Sequence, residues 1–234
     1  MEDTSANMNN FKMLRENSQM FRKSLYAVLI AACGAATAGP ITFSEGFDDV
    51  SALAGSGWLT PNYSTAGGEQ PGWFQGNAGI FGSDSGAANS YIAASYLGAP
   101  SGGNIDSWLI TPLFAVADST TITFATRTNG AYPDNLEVLW SLGSSNIADF
   151  MSIGSLSGSN FPIDWANVNL VAYNLQQDIR LAFRYLITDT SVNGDYIGID
   201  SLSVNVPEPG TMLLLGSGLL LMPLTMRRRR REQR

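Results

Sequence analysis

Residues 178–187 read Asp-Ile-Arg-Leu-Ala-Phe-Arg-Tyr-Leu-Ile, so that every second side chain is large and aliphatic or aromatic. A period of two is typical of a β-strand with one buried face, because successive side chains point to opposite sides of a sheet. The stretches 121–126 and 135–141 repeat this pattern, and no stretch keeps a convincing helical period of 3.6 residues. Many short strands with Gly-rich connections predict an all-β fold, an antiparallel β-sandwich or jelly roll.

The last predicted strand changes phase along its length. Its apolar residues stand first at odd and then at even positions: Ile197, Ile199, Leu202, Val204 and Val206. A shift of one residue predicts a β-bulge around Asp200 and Ser201, which would turn Asp200 towards a site. The pair Asn193-Gly194 marks a turn that is predicted to join the strand of residues 178–187 to this last strand.

The first 38 residues are predicted to be an N-terminal extension followed by a secretory signal peptide. A basic pair precedes the apolar run 25–32, and Ala36 and Ala38 then form a small-residue site for signal peptidase. Cleavage there removes Cys33, the only cysteine. The surroundings of Cys33 also match a lipoprotein box loosely, which would instead leave Cys33 as a lipidated N-terminus.

Residues 206–234 are predicted to be a second targeting segment, built in three parts. The motif Val206, Pro207, Glu208, Pro209 comes first, followed by the uncharged apolar run 210–226 and then by Arg227, Arg228, Arg229, Arg230 and Arg231. As a transmembrane helix the run would be about 25 Å long, near the lower limit for crossing a ~30 Å hydrocarbon core. The arginines would stop transfer and stay in the cytoplasm, so the preceding chain is predicted to lie outside it, anchored in the inner membrane.

This three-part order resembles the PEP-CTERM sorting signal of Gram-negative bacteria. In that family the signal is recognised by an exosortase, a membrane protease-transpeptidase. The resemblance implies cleavage near Pro207 to Pro209 and transfer of the protein to the cell surface or to an exopolysaccharide matrix. A chain that escapes this processing would remain a permanently membrane-anchored ectodomain.

Residues 39–205 are predicted to form a single β-sandwich domain between the two targeting segments. Over residues 39–206 there are fifteen acidic residues and only three basic ones, Arg127, Arg180 and Arg184, which gives a formal charge of −12. The whole chain carries −7 because its other basic residues lie in the targeting segments. So acidic a domain repels phosphate backbones, which argues against nucleic-acid binding.

The sequence contains no histidine. This excludes Ser-His-Asp and Cys-His nucleophilic systems as well as histidine metal ligands. Carboxylate pairs are present, so a polysaccharide hydrolase that uses two carboxylates is the alternative from another class. No such pair is expected in an apolar setting that would raise a pKa, and we therefore predict a protein without enzymatic activity.

Calcium is the predicted ligand of the acidic domain, as a structural cofactor. It is a hard cation that takes six to eight oxygen ligands from carboxylates, amides and backbone carbonyls. The expected ligands are Glu45 and Asp48 from the first strand region and Asp200 from the bulge, because first and last strands commonly pair in sandwiches. The other interpretation is that these are solvated surface acids.

Two aromatic residues are candidates for sugar binding. Tyr63 and Trp73 lie in the Gly/Pro-rich stretch 60–79, which predicts a loop. Their rings would stack on pyranose rings if they were exposed, or close one end of the sandwich if they were buried. Trp108 and Trp140 lie in strand patterns and are predicted to be in the core.

The middle of the chain resembles the choice-of-anchor J domain, which is related to the cleaved-adhesin and MAM-like jelly rolls. The resemblance rests on the stretch 43–48, Trp58, and the stretches 107–112, 179–185 and 196–200, in that order. It implies a surface domain that is joined to interchangeable anchors. Ser201 stands where family members more often have a second Asp after Asp200.

Together these features predict an exported surface or extracellular-matrix protein, handled by signal peptidase and an exosortase. Its domain is expected to be a non-catalytic adhesive module associated with extracellular polysaccharide.

Overall fold

A computed structural model describes residues 41–172 and 177–206 of the 234-residue chain. These residues form strands joined by turns and short 3-10 helices. The strands are β1 Ile41–Glu45, β2 Phe74–Gln75, β3 Ile92–Ser95, β4 Ile105–Ile110, β5 Phe114–Val116, β6 Thr120–Thr128, β7 Asn135–Ser141, β8 Met151–Ser157, β9 Ala166–Ala172, β10 Gln177–Ile187 and β11 Tyr196–Asn205. The helices are Val50–Ser56, Tyr96–Gly98, Ile147–Asp149 and Gly158–Asn160. The prediction of an all-β fold is confirmed.

The strands make two antiparallel sheets. In the first sheet the order is β2-β3-β11-β6-β9, and β1 pairs with the second half of β11. In the second sheet the order is β4-β10-β7-β8, and β5 pairs with the start of β10. The first and last strands therefore lie side by side, as expected for a sandwich.

The core lies between the two sheets. The alternation predicted for β10 is confirmed, because Ile179, Leu181, Phe183, Tyr185 and Ile187 are all buried there. The Phe183 ring meets Phe124 of the opposite sheet edge-on, with 4.8 Å between the ring centroids. Burying a large apolar side chain contributes roughly 1.5–3 kcal/mol, so this layer holds the sheets together.

The two tryptophans predicted to be in the core are both buried, but on different sides of the second sheet. Trp140 lies between the sheets. Trp108 lies in a separate apolar cluster with Ile110 and Leu139, next to Phe150. Arg184 covers the Trp108 ring, its guanidinium carbon 5.0 Å from the ring centroid.

The predicted bulge is present in β11. The pairing of β11 with β6 shifts register between Asp200 and Ser203, and Ser201 has a φ of 54°, which is uncommon for a residue other than glycine. Because of this shift, apolar residues on both sides of the bulge reach the core: Ile197, Ile199, Leu202 and Val204.

Strand direction defines two ends of the sandwich. Thr128 pairs with Ile197 at one end, whereas Asn205 pairs with Thr121 and Ile41 at the other. We call the first the loop end; it carries the connections 96–104, 129–134, 158–165 and 188–195. We call the second the terminus end, because β1 begins and β11 finishes there. A ten-residue strand such as β11 spans about 30 Å, which separates the two ends.

The Asn193-Gly194 turn lies at the loop end, and Gly194 has a φ of 86°. The strands that it connects belong to different sheets, since β10 is in the second sheet and β11 in the first. The turn therefore carries the chain across the sandwich instead of closing a hairpin.

None of the helices within residues 41–172 and 177–206 is long and apolar enough to cross a bilayer. The predicted signal helix and transmembrane helix lie outside the described residues. So do Ala36, Ala38, Pro207, Glu208, Pro209 and the arginines 227–231. Val206, the first residue of the predicted sorting motif, directly follows β11.

Candidate binding site at the loop end

The three predicted calcium ligands do not gather into one metal site. Within the described part of the chain, no group of three or more acidic side chains is placed to hold a metal ion. Glu45 accepts a hydrogen bond from the Phe47 backbone N–H at 2.8 Å through Oε1. Asp48 is exposed. No such group includes the predicted trio, and calcium binding stays a prediction.

Asp200 is turned by the bulge towards a loop. It is fully buried, and its Oδ2 accepts backbone N–H groups of Asp84 at 2.9 Å and Ser85 at 3.0 Å. Burial raises the pKa of this carboxyl, although the backbone hydrogen bonds from Ser85, Ser201 and Asp84 act in the opposite direction. Asp200 thus fastens residues 84–85 to the sheet and does not face an open site.

The two predicted sugar-binding aromatics lie in different environments. Trp73 is only 8% exposed, belongs to the main core and donates its indole N–H to the Ser107 carbonyl at 3.3 Å. The loop that carries it folds back onto the sandwich, so its ring faces are covered by protein, and a sugar platform at Trp73 is excluded. Tyr63 is exposed, and its backbone N–H bonds to the Asp106 carbonyl at 2.9 Å beside β4.

A cavity of about 310 Å³ opens at the loop end, between connections of both sheets. Its walls carry two exposed tyrosines, Tyr96 at 45% and Tyr132 at 59% exposure. Three residues with polar side chains, Thr190, Asn193 and Asp195, also line the cavity. Its size lies at the lower end of the range of small-molecule sites, and aromatic walls with a few polar groups are the usual composition of such sites.

Asp195 holds both tyrosine-bearing loops. Its backbone carbonyl accepts the Tyr96 N–H at 2.8 Å. Its Oδ2 accepts the Ala131 N–H at 2.8 Å and the Asn129 side-chain amide at 3.1 Å. Tyr132 directly follows Ala131, so Asp195 holds the backbone at or next to both tyrosines.

Two further backbone hydrogen bonds fasten the same loops. The Gly194 N–H donates to the Pro133 carbonyl at 2.8 Å, on the other side of Tyr132. The Thr190 N–H donates to the Gly103 carbonyl at 3.0 Å. Hydrogen bonds therefore join the loops that form the cavity walls. These loops are already ordered, so ligand binding costs little loop entropy.

Asp134 lies behind Asp195 and is only 3% exposed. Its Oδ1 accepts the Tyr185 hydroxyl at 2.5 Å and the Asp195 N–H at 2.8 Å, and its Oδ2 accepts the Thr128 hydroxyl at 2.5 Å. Burial raises the pKa of the Asp134 carboxyl, in spite of the hydrogen bonds that favour its charged form. The expectation that no carboxylate pair would lie in an apolar setting that raises a pKa is therefore wrong for Asp134 and its neighbour Asp195.

Burial raises the pKa of the Tyr185 hydroxyl, and the neighbouring Asp134 carboxylate raises it further. Both Asp134 oxygens accept hydrogen bonds in the protein interior. Asp134 therefore stabilises the residues beneath the cavity. Its arrangement is that of a structural acceptor, not of a carboxylate that reaches a bound substrate.

Sequence reasoning missed Tyr96, Tyr132, Asp134 and Asp195. One weak signal was available, since Asn193-Gly194 marks the turn directly before Asp195. The contacts themselves join residues far apart in the chain; Asp195 and Asp134 are 61 positions apart. A local sequence pattern cannot predict a contact between residues so far apart in the chain.

Solved structures with a similar fold include cleaved adhesin domains of Lys-gingipain. The K3 domain from Porphyromonas gingivalis W83 has a TM-score of 0.51 and 16% identity, covering 70% of this chain and 98% of that one. The K2 domain has a TM-score of 0.50 and 18% identity, covering 69% and 96%. At identities this low, the comparison establishes a shared fold. A comparison with curated protein sequences found no match.

Residues 205–231 match the PEP-CTERM protein-sorting motif. The match includes the Val206 to Pro209 motif, the apolar run and the five arginines. It indicates an exported protein that is sorted to the cell surface, and it implies processing by an exosortase.

Proposed function

We propose that this chain is a surface or matrix protein whose β-sandwich binds polysaccharide at the loop end without catalysing a reaction. The observation that carries the proposal is the pair of exposed tyrosines, Tyr96 and Tyr132, held on fastened loops around one cavity. Tyrosine rings offer apolar faces with a polar tip, which suits sugars that have apolar faces and hydroxyl edges. The cleaved-adhesin fold supports a domain of the choice-of-anchor J kind.

The position of the cavity supports this role. β11 runs from the loop end to the terminus end, and the sorting motif follows it directly. The cavity therefore lies about 30 Å from the point where the sorting segment begins. An anchored or matrix-linked protein would present such a cavity away from its attachment.

The binding proposal is tested by affinity electrophoresis of the exported protein through gels that contain single polysaccharides. Tyr96→Ala and Tyr132→Ala are each expected to weaken binding about ten-fold, corresponding to about 1.4 kcal/mol of lost ring contact. Leu113→Ala is the control, because Leu113 is as exposed as Tyr96 but lies between β4 and β5, at the terminus end. Equal retardation of all three variants would refute the site.

Sorting is tested separately by the intact mass of the protein recovered from cells and medium. We propose signal-peptidase cleavage after Ala38 and exosortase cleavage near Pro207 or Pro209, followed by transfer to the surface or matrix. A product ending there supports this route. A full-length form that keeps Arg227 to Arg231 supports the permanently anchored ectodomain instead.

The alternative function is a carboxylate-dependent polysaccharide hydrolase, and the raised pKa of Asp134 is the observation in its favour. A general acid must also reach the substrate, whereas Asp134 is buried and its two oxygens are occupied. Release of reducing ends from a bound polysaccharide, abolished by Asp134→Asn or Asp195→Asn, would support the hydrolase.

A further inference from the structure

The charge around the loop-end cavity limits which polysaccharide it takes; this inference rests on the proposed function. Of the described residues that line the cavity, Asp195 is the charged one, and it is acidic. The Asp134 carboxylate lies directly behind it, bonded to its N–H at 2.8 Å. A ligand in this cavity therefore meets negative charge.

Positive charge is held elsewhere. Residues 39–206 contain only three basic side chains. Arg184 pairs with Asp106 at 2.6 Å and with Glu137 at 3.0 Å on the second sheet. Arg127 lies over the Phe81 ring, 4.3 Å from its centroid.

The third arginine, Arg180, lies at the terminus end. It donates to the Thr111 carbonyl at 2.8 Å and to the Gly143 carbonyl at 3.3 Å. Recognition of a carboxylate, sulfate or phosphate in a protein normally uses an arginine or lysine, and neither is among the described residues that line this cavity.

A sugar hydroxyl, in contrast, finds suitable partners there. It can donate to the Asp195 carboxylate or exchange hydrogen bonds with the Asn193 amide, which both donates and accepts. A ligand carboxylate would face the like charge of Asp195 and the field of a domain with charge −12, and such juxtapositions are costly.

We propose that the loop-end cavity selects uncharged, hydroxyl-rich polysaccharides and rejects acidic ones, with Asp195 as the group that rejects them. The test begins with a panel of neutral polymers, such as dextran, mannan, galactan and xylan. The polymer that binds is then carboxymethylated, so that backbone and sugar stay the same and only the charge changes.

The carboxymethyl polymer is expected to bind the full exported protein at least ten-fold more weakly than its neutral parent at low salt. High salt should narrow the difference, because it screens the repulsion. Asp195→Asn keeps an oxygen for the Ala131 and Asn129 donors but removes the charge, and it should also narrow the difference. Val192→Lys, at an exposed position on the cavity wall, should do so without touching Asp195.

Acidic polymers that bind as tightly as neutral ones would overturn the inference and leave the proposed function standing. A difference that persists unchanged in both Asp195→Asn and Val192→Lys, with melting temperatures matching the parent, would also overturn it. Binding of no polymer at all, neutral or acidic, would instead overturn the proposed function.

Discussion

The loop end and the terminus end close the same two sheets with opposite chemistry. At the loop end two buried carboxylates, Asp134 and Asp195, accept hydrogen bonds from several loops. At the terminus end Arg180 donates to the carbonyls of two turns, at Thr111 and Gly143. The Thr111 hydroxyl also accepts the Leu181 N–H at 3.0 Å.

The carboxylates of the loop end suit the cavity that opens there. A carboxylate has several acceptor positions and can gather N–H groups from separate loops without drawing them into contact. The Asp195 carboxylate and carbonyl hold Ala131 and Tyr96 in this way, on loops from different parts of the chain. The terminus end uses short turns tied to neighbouring strands, which suits the end where the chain enters and leaves.

Among changes at the two ends, removing Asp134 should have the largest effect on stability. Asp134→Ala leaves the Tyr185 hydroxyl, the Thr128 hydroxyl and the Asp195 N–H without their acceptor. An unpaired buried group costs about 1–3 kcal/mol, so we expect the free energy of unfolding to fall by about 3–5 kcal/mol in urea titrations.

The control for Asp134 is Asp164→Ala, an exposed carboxylate at the same end of the sandwich. Its effect should stay within about 0.5 kcal/mol. Two variants with equal, small effects would show that Asp134 does not brace the loops.

Removing Arg180 should have a smaller effect and should leave binding intact. Arg180→Ala leaves the carbonyls of buried Thr111 and half-buried Gly143 without this donor, so we expect a loss of about 1–3 kcal/mol. Polysaccharide affinity should not change, because Arg180 lies seven residues, or about 23 Å, from the loop end of β10. Weaker binding by this variant would show that the two ends are coupled.

The strands and the bulge could be predicted because their signals are local. The alternation of residues 178–187 and the phase change after Ile199 follow directly from the two-residue period of a strand. The burial of Trp73 could not be predicted, because it depends on how a Gly/Pro-rich loop folds onto a distant strand. The loop-end cavity is harder still, because three connections supply its walls.

Lowering the pH should stabilise the protein, by less than the two substitutions change its stability. The pKa values of Asp134 and Asp200 are raised above 3.8 because burial disfavours the charged carboxylates. Their stabilising contribution is therefore fully present below 3.8 and is lost as pH rises through the raised values. We expect melting temperatures to increase as pH is lowered from neutrality towards that window.

Asp49 and Asp189 limit this gain at the acid side. Each accepts a hydrogen bond from a nearby serine side chain, which lowers its pKa, so its contribution is lost as pH falls below 3.8. Asp134→Asn should flatten the rise on the neutral side, and an unchanged pH profile in this variant would assign the rise to Asp200 instead.

The smallest effect is expected from metal removal. Asp200 lies midway along β11, between the two ends, and its carboxylate already accepts N–H groups from Asp84 and Ser85. Glu45 is likewise bonded to Phe47 N–H. Because these acceptors already have protein donors, we expect a chelator to lower the melting temperature only slightly. A large drop in melting temperature that added calcium reverses would show that a cation holds this part of the sheet, and would restore the calcium site predicted from the sequence.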